Sequence, residues 1–337
     1  MKKICLSVIA LLVFCFVGLA QDPVYNRYGQ VIVNDGHQWK AKQYDALVKL
    51  NPMLDTIPGF NVPYTYVPDK IKAEDYDKCV TTDFIYKKYP THELGMGVTL
   101  PIDMPAEPMP YVVIIHGGGW MNGHFRQEHH IRAGNFIAGK GIAAIRIGYT
   151  LLANGTIDNA VEDIGDALAF IREHAVEWNI DPDRVGFMGN SAGGHLSTLT
   201  GLTYPATKAV VNINGPTDLS NFLGPTQQAV AGKNSPFYYS YFVPSGSSPE
   251  RLKQFSPAYN IPSDPGQIPA VLMIHGTLDL TVPYWQTTDF VELLRSKGAE
   301  TVEVNRVEHG SHSLIRPQMA SYEDDLLGIL GFLQENL

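Results

Sequence analysis

The stretch Arg184-Val185-Gly186-Phe187-Met188-Gly189-Asn190-Ser191-Ala192-Gly193 decides the fold. A short apolar run feeds directly into a G-x-S-x-G motif, the pattern of a buried strand that bends sharply into a helix with a serine at the bend. So tight a turn takes small flanking residues and holds Ser191 in a strained conformation, its hydroxyl exposed above the sheet. A five-residue motif arises cheaply and is as readily structural as functional. It needs partners.

One partner lies upstream in Met109-Pro110-Tyr111-Val112-Val113-Ile114-Ile115-His116-Gly117-Gly118-Gly119-Trp120, where an apolar run of buried-strand length ends in HGGG. Such a loop can turn backbone N–H groups toward a developing oxyanion, and its glycines let a carbonyl approach closely. A plain flexible turn or a phosphate cradle is the competing reading, but no G-K-[ST] follows.

With the later His275-Gly276-Thr277-Leu278-Asp279, these motifs make the chain resemble α/β-hydrolase carboxylesterases of the hormone-sensitive-lipase-like kind. Within that group it is most similar to secreted bacterial esterases that remove acetyl or feruloyl groups from plant polysaccharides. The resemblance covers roughly residues 80 to 337, and its motifs are specific for the fold and much less so for the substrate. It implies an α/β-hydrolase fold, a mainly parallel eight-stranded sheet with helices on both faces and an inserted cap segment. It also implies a small-molecule or oligosaccharide ester as substrate.

Serine at neutral pH is too poor an acid to attack an ester unaided, so a histidine must take its proton and a carboxylate must orient that histidine. The resemblance orders these groups as Ser, acid, His along the chain, and Asp279 matches the acid position; an Asx turn is the bland alternative. Two histidines compete for the base in Glu308-His309-Gly310-Ser311-His312-Ser313-Leu314. The family's small-residue loop around the base fits His312 best, leaving His309 to cap the loop or line the cleft. The family implies oxyanion donors at the backbone N–H groups of Gly118, Gly119 and Ala192. Trp120, Tyr238 and Tyr241 are the candidate substrate-binding residues. His116 is expected to hold the glycine loop by hydrogen bonding and His195 to pack behind the elbow.

Two positions depart from the family pattern. Asn190 stands where an acid commonly precedes the serine, removing a charge near the site. Tyr149-Thr150 stands where Tyr-Arg is usual, which takes away the arginine of a structural ion pair.

Around these motifs the chain alternates apolar runs with helical periodicity, the signature of a parallel sheet covered on both faces. Strands are expected at 112–115, 141–147, 184–188, 209–213, 270–274 and 301–307. Helices are expected at 129–140, along the Ile157, Val161, Ile164, Leu168, Ile171 stripe, and from about 322 to 336. Every candidate group then follows a strand, at the carboxyl edge of the sheet where α/β folds bind ligands. Residues 21–78 read as an N-terminal extension to a catalytic domain of 79–337. Residues 216 to 265, with the aromatic run Phe237-Tyr238-Tyr239-Ser240-Tyr241-Phe242, read as the cap, either packing onto the core or walling the cleft for an aryl or sugar group.

Residues 1–20 read as a signal peptide: Lys2 and Lys3, an apolar stretch, then Gly18-Leu19-Ala20 as a small-x-small cleavage site. Export to the periplasm or outside the cell is the expectation. Lipoprotein anchoring through Cys15 is disfavoured by Phe14, and a retained span by the shortness of the apolar run. Removing Lys2 and Lys3 takes the formal charge from −9 to −11, which argues against nucleic acid or an anionic membrane surface as partner. Of three cysteines only Cys79 lies outside the leader, so no disulfide within the mature chain is possible, and a packing role is expected. No H-E-x-x-H occurs and His129-His130 are adjacent rather than four apart, so neither a metal nor a cofactor is expected. Oligomeric state is not readable. Two other functions compete: a serine peptidase of the prolyl-oligopeptidase kind, against which HGGGW argues, and a binding protein on an inactive hydrolase scaffold.

Overall fold

The structure, a computed structural model, describes residues 24–25, 31–32, 71–221, 249–277, 279, 281–308, 310, 312, 314 and 322–337. Two compact units divide the chain, Met1–Tyr66 and Val67–Leu337. In the first, strands β1 (Val24–Tyr25) and β2 (Val31–Ile32) pair antiparallel. The expected signal peptide lies outside the described residues. Residues 71–78 belong with the second unit. Ile71 is buried in the core of that unit, and Lys140 reaches Asp75 at 3.0 Å.

The second unit is built on an eight-stranded sheet. Its strands are β3 (Cys79–Lys88), β4 (Glu93–Pro101), β5 (Met109–Ile115), β6 (Ala143–Ile147), β7 (Ile180–Asn190), β8 (Thr207–Ile213), β9 (Ala270–Gly276) and β10 (Val302–Val307). They lie in the order β10-β9-β8-β7-β5-β6-β4-β3. From β6 to β10 all neighbours are parallel, while β4 is antiparallel to β6 and to β3.

The central strands are near-continuous apolar runs because both faces are covered. On β5, Tyr111, Val113 and Ile115 join one core cluster while Val112 and Ile114 join another, all of them 0–1% exposed. The first face is covered by α2 (Ile157–Glu173) and α3 (Ala192–Thr203). The second is covered by α1 (Glu128–Ala138) and α6 (Tyr322–Asn336). Helix α5 (Trp285–Ser296) packs Phe290 and Leu294 against Val271 and Met273 of β9.

Helix α2 forms because Ile157, Ala160, Ile164, Ala167, Leu168 and Ile171 fall on one buried stripe. A capping box between Thr156 and Asn159 satisfies its first turn. Ile164 is fully buried at the centre of the stripe, so its truncation to alanine would cost about 2–5 kcal/mol.

The expected cap is described only at its ends. Helix α4 (Pro249–Gln254) and the turn Pro257–Tyr259 follow residues 222–248, which lie outside the described residues together with Tyr238 and Tyr241. These ends are packed into the core: Leu219 and Leu252 are buried with α3, and the Leu219 N–H donates to Ser256 Oγ at 2.8 Å. Cys79 is half-buried at the start of β3, and burial pushes its thiol pKa up.

Candidate active site

Six parallel strands end on one edge of the sheet, and the loops leaving five of them, β5, β7, β8, β9 and β10, carry Gly117–Gly119, Ser191, Asn214, Asp279 and His312 there. Backbone strain gathers at the same edge. Among the described residues, the non-glycine positions with positive φ are Trp120, Asn179, Ser191, Asn214 and Leu314, and all but Asn179 sit in these loops or lie beside their named residues. Each such conformation costs on the order of 1–3 kcal/mol, so the surrounding contacts must hold it.

At the elbow Ser191 has φ 54° and ψ −122°, and its N–H donates to Ile213 O at 2.8 Å. The turn closes because Gly193 has no side chain: a Cβ there would stand 2.0 Å from Ile115 O on β5. Any larger residue would drive α3 off the sheet.

Across the edge, His312 Nε2 lies 2.9 Å from Ser191 Oγ and His312 Nδ1 lies 2.6 Å from Asp279 Oδ2. A carboxylate can only accept, so Nδ1 carries the proton and Nε2 is left with a lone pair facing the serine hydroxyl. Asp279 is 5% exposed, and its Oδ1 accepts the Thr281 and Val282 N–H groups, each at 2.8 Å. Burial alone would raise its pKa, but His312 and His275 together more than offset this and hold the carboxyl below the usual carboxylate range. The structure thus brings Ser191, Asp279 and His312 into one hydrogen-bonded chain. His309 lies outside the described residues.

The HGGG loop is shaped by turns and by the elbow. Gly118 has φ +124° and a Cβ there would lie 2.1 Å from Asn122 O, so only glycine fits. The N–H groups of Met121 and Asn122 return to Gly118 O at 3.2 and 3.0 Å, which closes the loop. The loop is tied to the elbow by Asn190, whose Oδ1 accepts from Gly117 N–H at 3.2 Å and from His130 Nε2 at 3.0 Å. Gly118 and Gly119 (φ +61°) follow directly, and Ala192 opens α3, where helix N–H groups have no partner within the helix.

His116 turns away from the serine: its Nδ1 lies 2.9 Å from Gly117 O and its ring stacks on Tyr149 at 4.3 Å. Burial lowers its pKa to about 4. His195 is fully buried, takes the Trp120 indole N–H on Nδ1 at 3.2 Å and donates from Nε2 to Phe255 O at 2.5 Å. Burial lowers this imidazole to about 4 as well, so both rings are neutral at physiological pH. Trp120, expected at the substrate, is 6% exposed and spends its indole N–H on His195. The structure places it in the core, its ring edge-on to His195 at 5.3 Å.

Sequence reasoning overlooked Asn214. It has φ 50°, its Nδ2 donates to His312 O at 2.7 Å, and its Oδ1 accepts from Gly276 N at 3.0 Å. One amide therefore fastens the histidine loop to the end of β9. The dipeptide Asn214-Gly215 directly after a strand is a left-handed turn signal that would have marked it. Among the described residues no group of three or more His, Cys, Asp or Glu is placed to hold a metal ion.

A family model described as BD-FAE matches residues 96–294, a span that runs from β4 through the elbow to α5. The chain belongs to the BD-FAE family. A relative named as a probable isoprenylcysteine alpha-carbonyl methylesterase from Oryza sativa subsp. japonica is 26% identical over 284 residues, covering 79% of this chain and 63% of that protein. Esterase LipC of Mycobacterium tuberculosis is 27% identical over 208 residues, covering 58% of this chain and 50% of its own length. The chain thus spans less than two thirds of these relatives. Among solved structures, a truncated carbohydrate esterase from gut microbiota superposes with TM-score 0.60 at 22% identity, covering 77% of this BD-FAE chain and 97% of that one. Thermogutta terrifontis esterase 2 phosphorylated by paraoxon also gives 0.60, at 23% identity and with 79% and 97% covered. These likenesses establish the α/β-hydrolase fold.

Proposed function

We propose that this chain is a serine carboxylic ester hydrolase in which Ser191 is the nucleophile, His312 the general base and Asp279 its orienting acid. The observation that carries the reading is the continuous relay from Ser191 Oγ through His312 to the buried Asp279 carboxylate. As Ser191 Oγ attacks the acyl carbon, its proton passes to His312 Nε2, and the N–H groups of Gly118, Gly119 and Ala192 receive the oxyanion. Collapse expels the alcohol, which takes its proton from His312 and leaves an acyl-enzyme. Water then repeats the sequence and frees the acid.

Relatives named as methylesterases and esterases support ester over amide cleavage. The finer reading is a secreted enzyme acting on short acyl or hydroxycinnamoyl esters of plant polysaccharides or their oligosaccharides. Its supports are the leader-like first twenty residues and the aromatic run at 237–242. An aromatic rim stacks sugar or aryl rings but gives little purchase to a long chain, whose every buried methylene would add about 0.8 kcal/mol.

The test is a hydrolysis screen over acetyl, butyryl, octanoyl and feruloyl esters with peptide p-nitroanilides alongside, repeated with Ser191→Ala. Acetyl or feruloyl esters should be preferred and Ser191→Ala should lose several orders of magnitude in kcat. Specificity constants that climb steadily to long acyl chains would replace the carbohydrate reading with a lipase-like one. Cleavage of the anilides in preference to every ester would make the protein a peptidase.

A further inference from the structure

A second histidine stands against the Asp279 carboxylate. Resting on the reading of Ser191, His312 and Asp279 as a catalytic triad, we propose that His275 is its positioning residue, fixing the rotation of the Asp279 carboxylate and sharing the oxygen Oδ2 with His312.

His275 is fully buried near the end of β9. Its Nε2 lies 3.0 Å from Val282 O and 3.2 Å from Asp279 Oδ2, and its Nδ1 lies 2.7 Å from Thr287 Oγ1 on α5. Two acceptors at Nε2 require a proton there, so Nδ1 receives the Thr287 hydroxyl and the neutral ring satisfies every partner. The ring is thereby clamped between a helix and the loop that carries Asp279. Its hydrogen bonds go to Thr287, Val282 and Asp279 and not to Ser191.

Two consequences follow for Asp279. Its Oδ1 already holds two backbone N–H groups, so a second N–H on Oδ2 leaves the carboxylate no freedom to turn. That oxygen also divides its charge between His275 and His312, which weakens its pull on the His312 proton. The titratable groups facing His275 are Asp279 at Nε2, whose Oδ2 also holds His312, and Tyr284, whose ring meets it edge-on at 5.6 Å. Beyond Tyr284 stands Arg306 of β10, 5.7 Å from that ring and paired with Glu308 at 2.9 Å. The loop after β8 brings the neutral amide of Asn214 to the adjacent Gly276 N–H at 3.0 Å.

The experiment compares full-length wild type, His275→Phe and His275→Gln on p-nitrophenyl acetate, with kcat expressed per serine labelled by a fluorophosphonate. Phenylalanine removes the donor, whereas the glutamine amide nitrogen reaches the Nε2 position. His275→Phe should lower kcat about tenfold with KM within about twofold, and should move the acid limb of the pH profile up by roughly half a unit. His275→Gln should restore the acid limb and most of kcat. An unmoved acid limb in folded His275→Phe would overturn the proposal, since a purely structural role lowers only the fraction of active protein. If His275→Phe does not fold, Thr287→Val frees the ring without emptying the core. It should shift the limb in the same direction, and no shift overturns the proposal equally. Wild type that takes no label at Ser191 and cleaves no ester would overturn the triad reading and this one with it. Active wild type with an unmoved limb removes His275 alone.

Discussion

Lys87 on β3 places its ammonium 2.6 Å from Oδ1 of Asp163, a carboxylate of α2 with no exposed side-chain surface. The same oxygen accepts the Tyr89 hydroxyl at 2.7 Å, and Oδ2 accepts the Thr150 N–H at 2.8 Å. Thr150 is the position where the family's usual arginine is missing. Its backbone still binds the buried acid, and the cation arrives from a different strand. The loop after β6, which leads from the sheet edge into α2, is therefore fastened to α2 through its backbone, with the charge supplied from β3.

Lys87→Met keeps the apolar stem and deletes the charge, leaving a buried carboxylate with two neutral donors. Removing one member of a buried pair costs about 3–5 kcal/mol, and the surviving Tyr89 and Thr150 contacts put the expected loss near 3 kcal/mol. Chemical denaturation measures it, while kcat per labelled serine should be unchanged in the folded fraction. A loss under about 1 kcal/mol would mean the neutral donors suffice.

Asp279 gives a pH signature whose sign follows from its depressed folded pKa. The stability this contributes is present in full above the unfolded value of about 3.9 and is lost as pH falls through the lower folded value. The stability gap between wild type and Asp279→Asn should therefore shrink only below about pH 4. Denaturation midpoints at a series of pH values test this, and a gap that closes between pH 7 and 5 would indicate a raised carboxyl instead.

Asn190 joins the elbow to the glycine loop without bringing a charge. Burial holds the His130 imidazole well below its ordinary range, so at neutral pH it is an uncharged donor to Asn190. In Asn190→Asp the tether to Gly117 survives, but the new carboxylate favours protonated His130. The acidic side of the kcat/KM profile should then show an added ionisation. Asn190→Ala cuts the tether and should lower kcat by roughly 10- to 100-fold through misplaced oxyanion donors. Matching profiles and rates in all three proteins would dismiss Asn190 as a mere neighbour of the site.

The parallel half of the fold was legible because buried strands such as 112–115 and stripes such as Ile157 to Ile171 carry their periods openly. Strands β3 and β4 were not individually legible. Every residue of β3 is exposed or half-buried, so Cys79–Lys88 shows no apolar run, and nothing local announces that β4 pairs antiparallel to β6. Motif residues Ser191, Asp279 and His312 could be named because chain order ranks them. Asn190 and Asn214 act through contacts far along the chain, with Gly117 and His312, while His275 acts on Asp279 only four residues on through a contact that no motif announces.

Glycine substitutions separate packing from loop conformation. At Gly193 a Cβ would meet Ile115 O at 2.0 Å and His116 C and O at 2.7 Å, all backbone atoms of β5 and its exit. They cannot yield without parting α3 from the sheet, so Gly193→Ala should lose about 3 kcal/mol or more and give little soluble protein. At Gly119 the only neighbour within range is the tip of Met121 at 4.0 Å, and the cost is the left-handed φ of +61°. Gly119→Ala should therefore fold, with about 1–2 kcal/mol less stability. Because its stability loss is small, any fall in kcat per labelled serine reports on the loop as oxyanion donor, and about tenfold is expected. Thermal melts and serine-normalised kinetics on the two variants decide the matter. Full activity in Gly119→Ala would mean that the loop's left-handed turn at this position serves the fold alone.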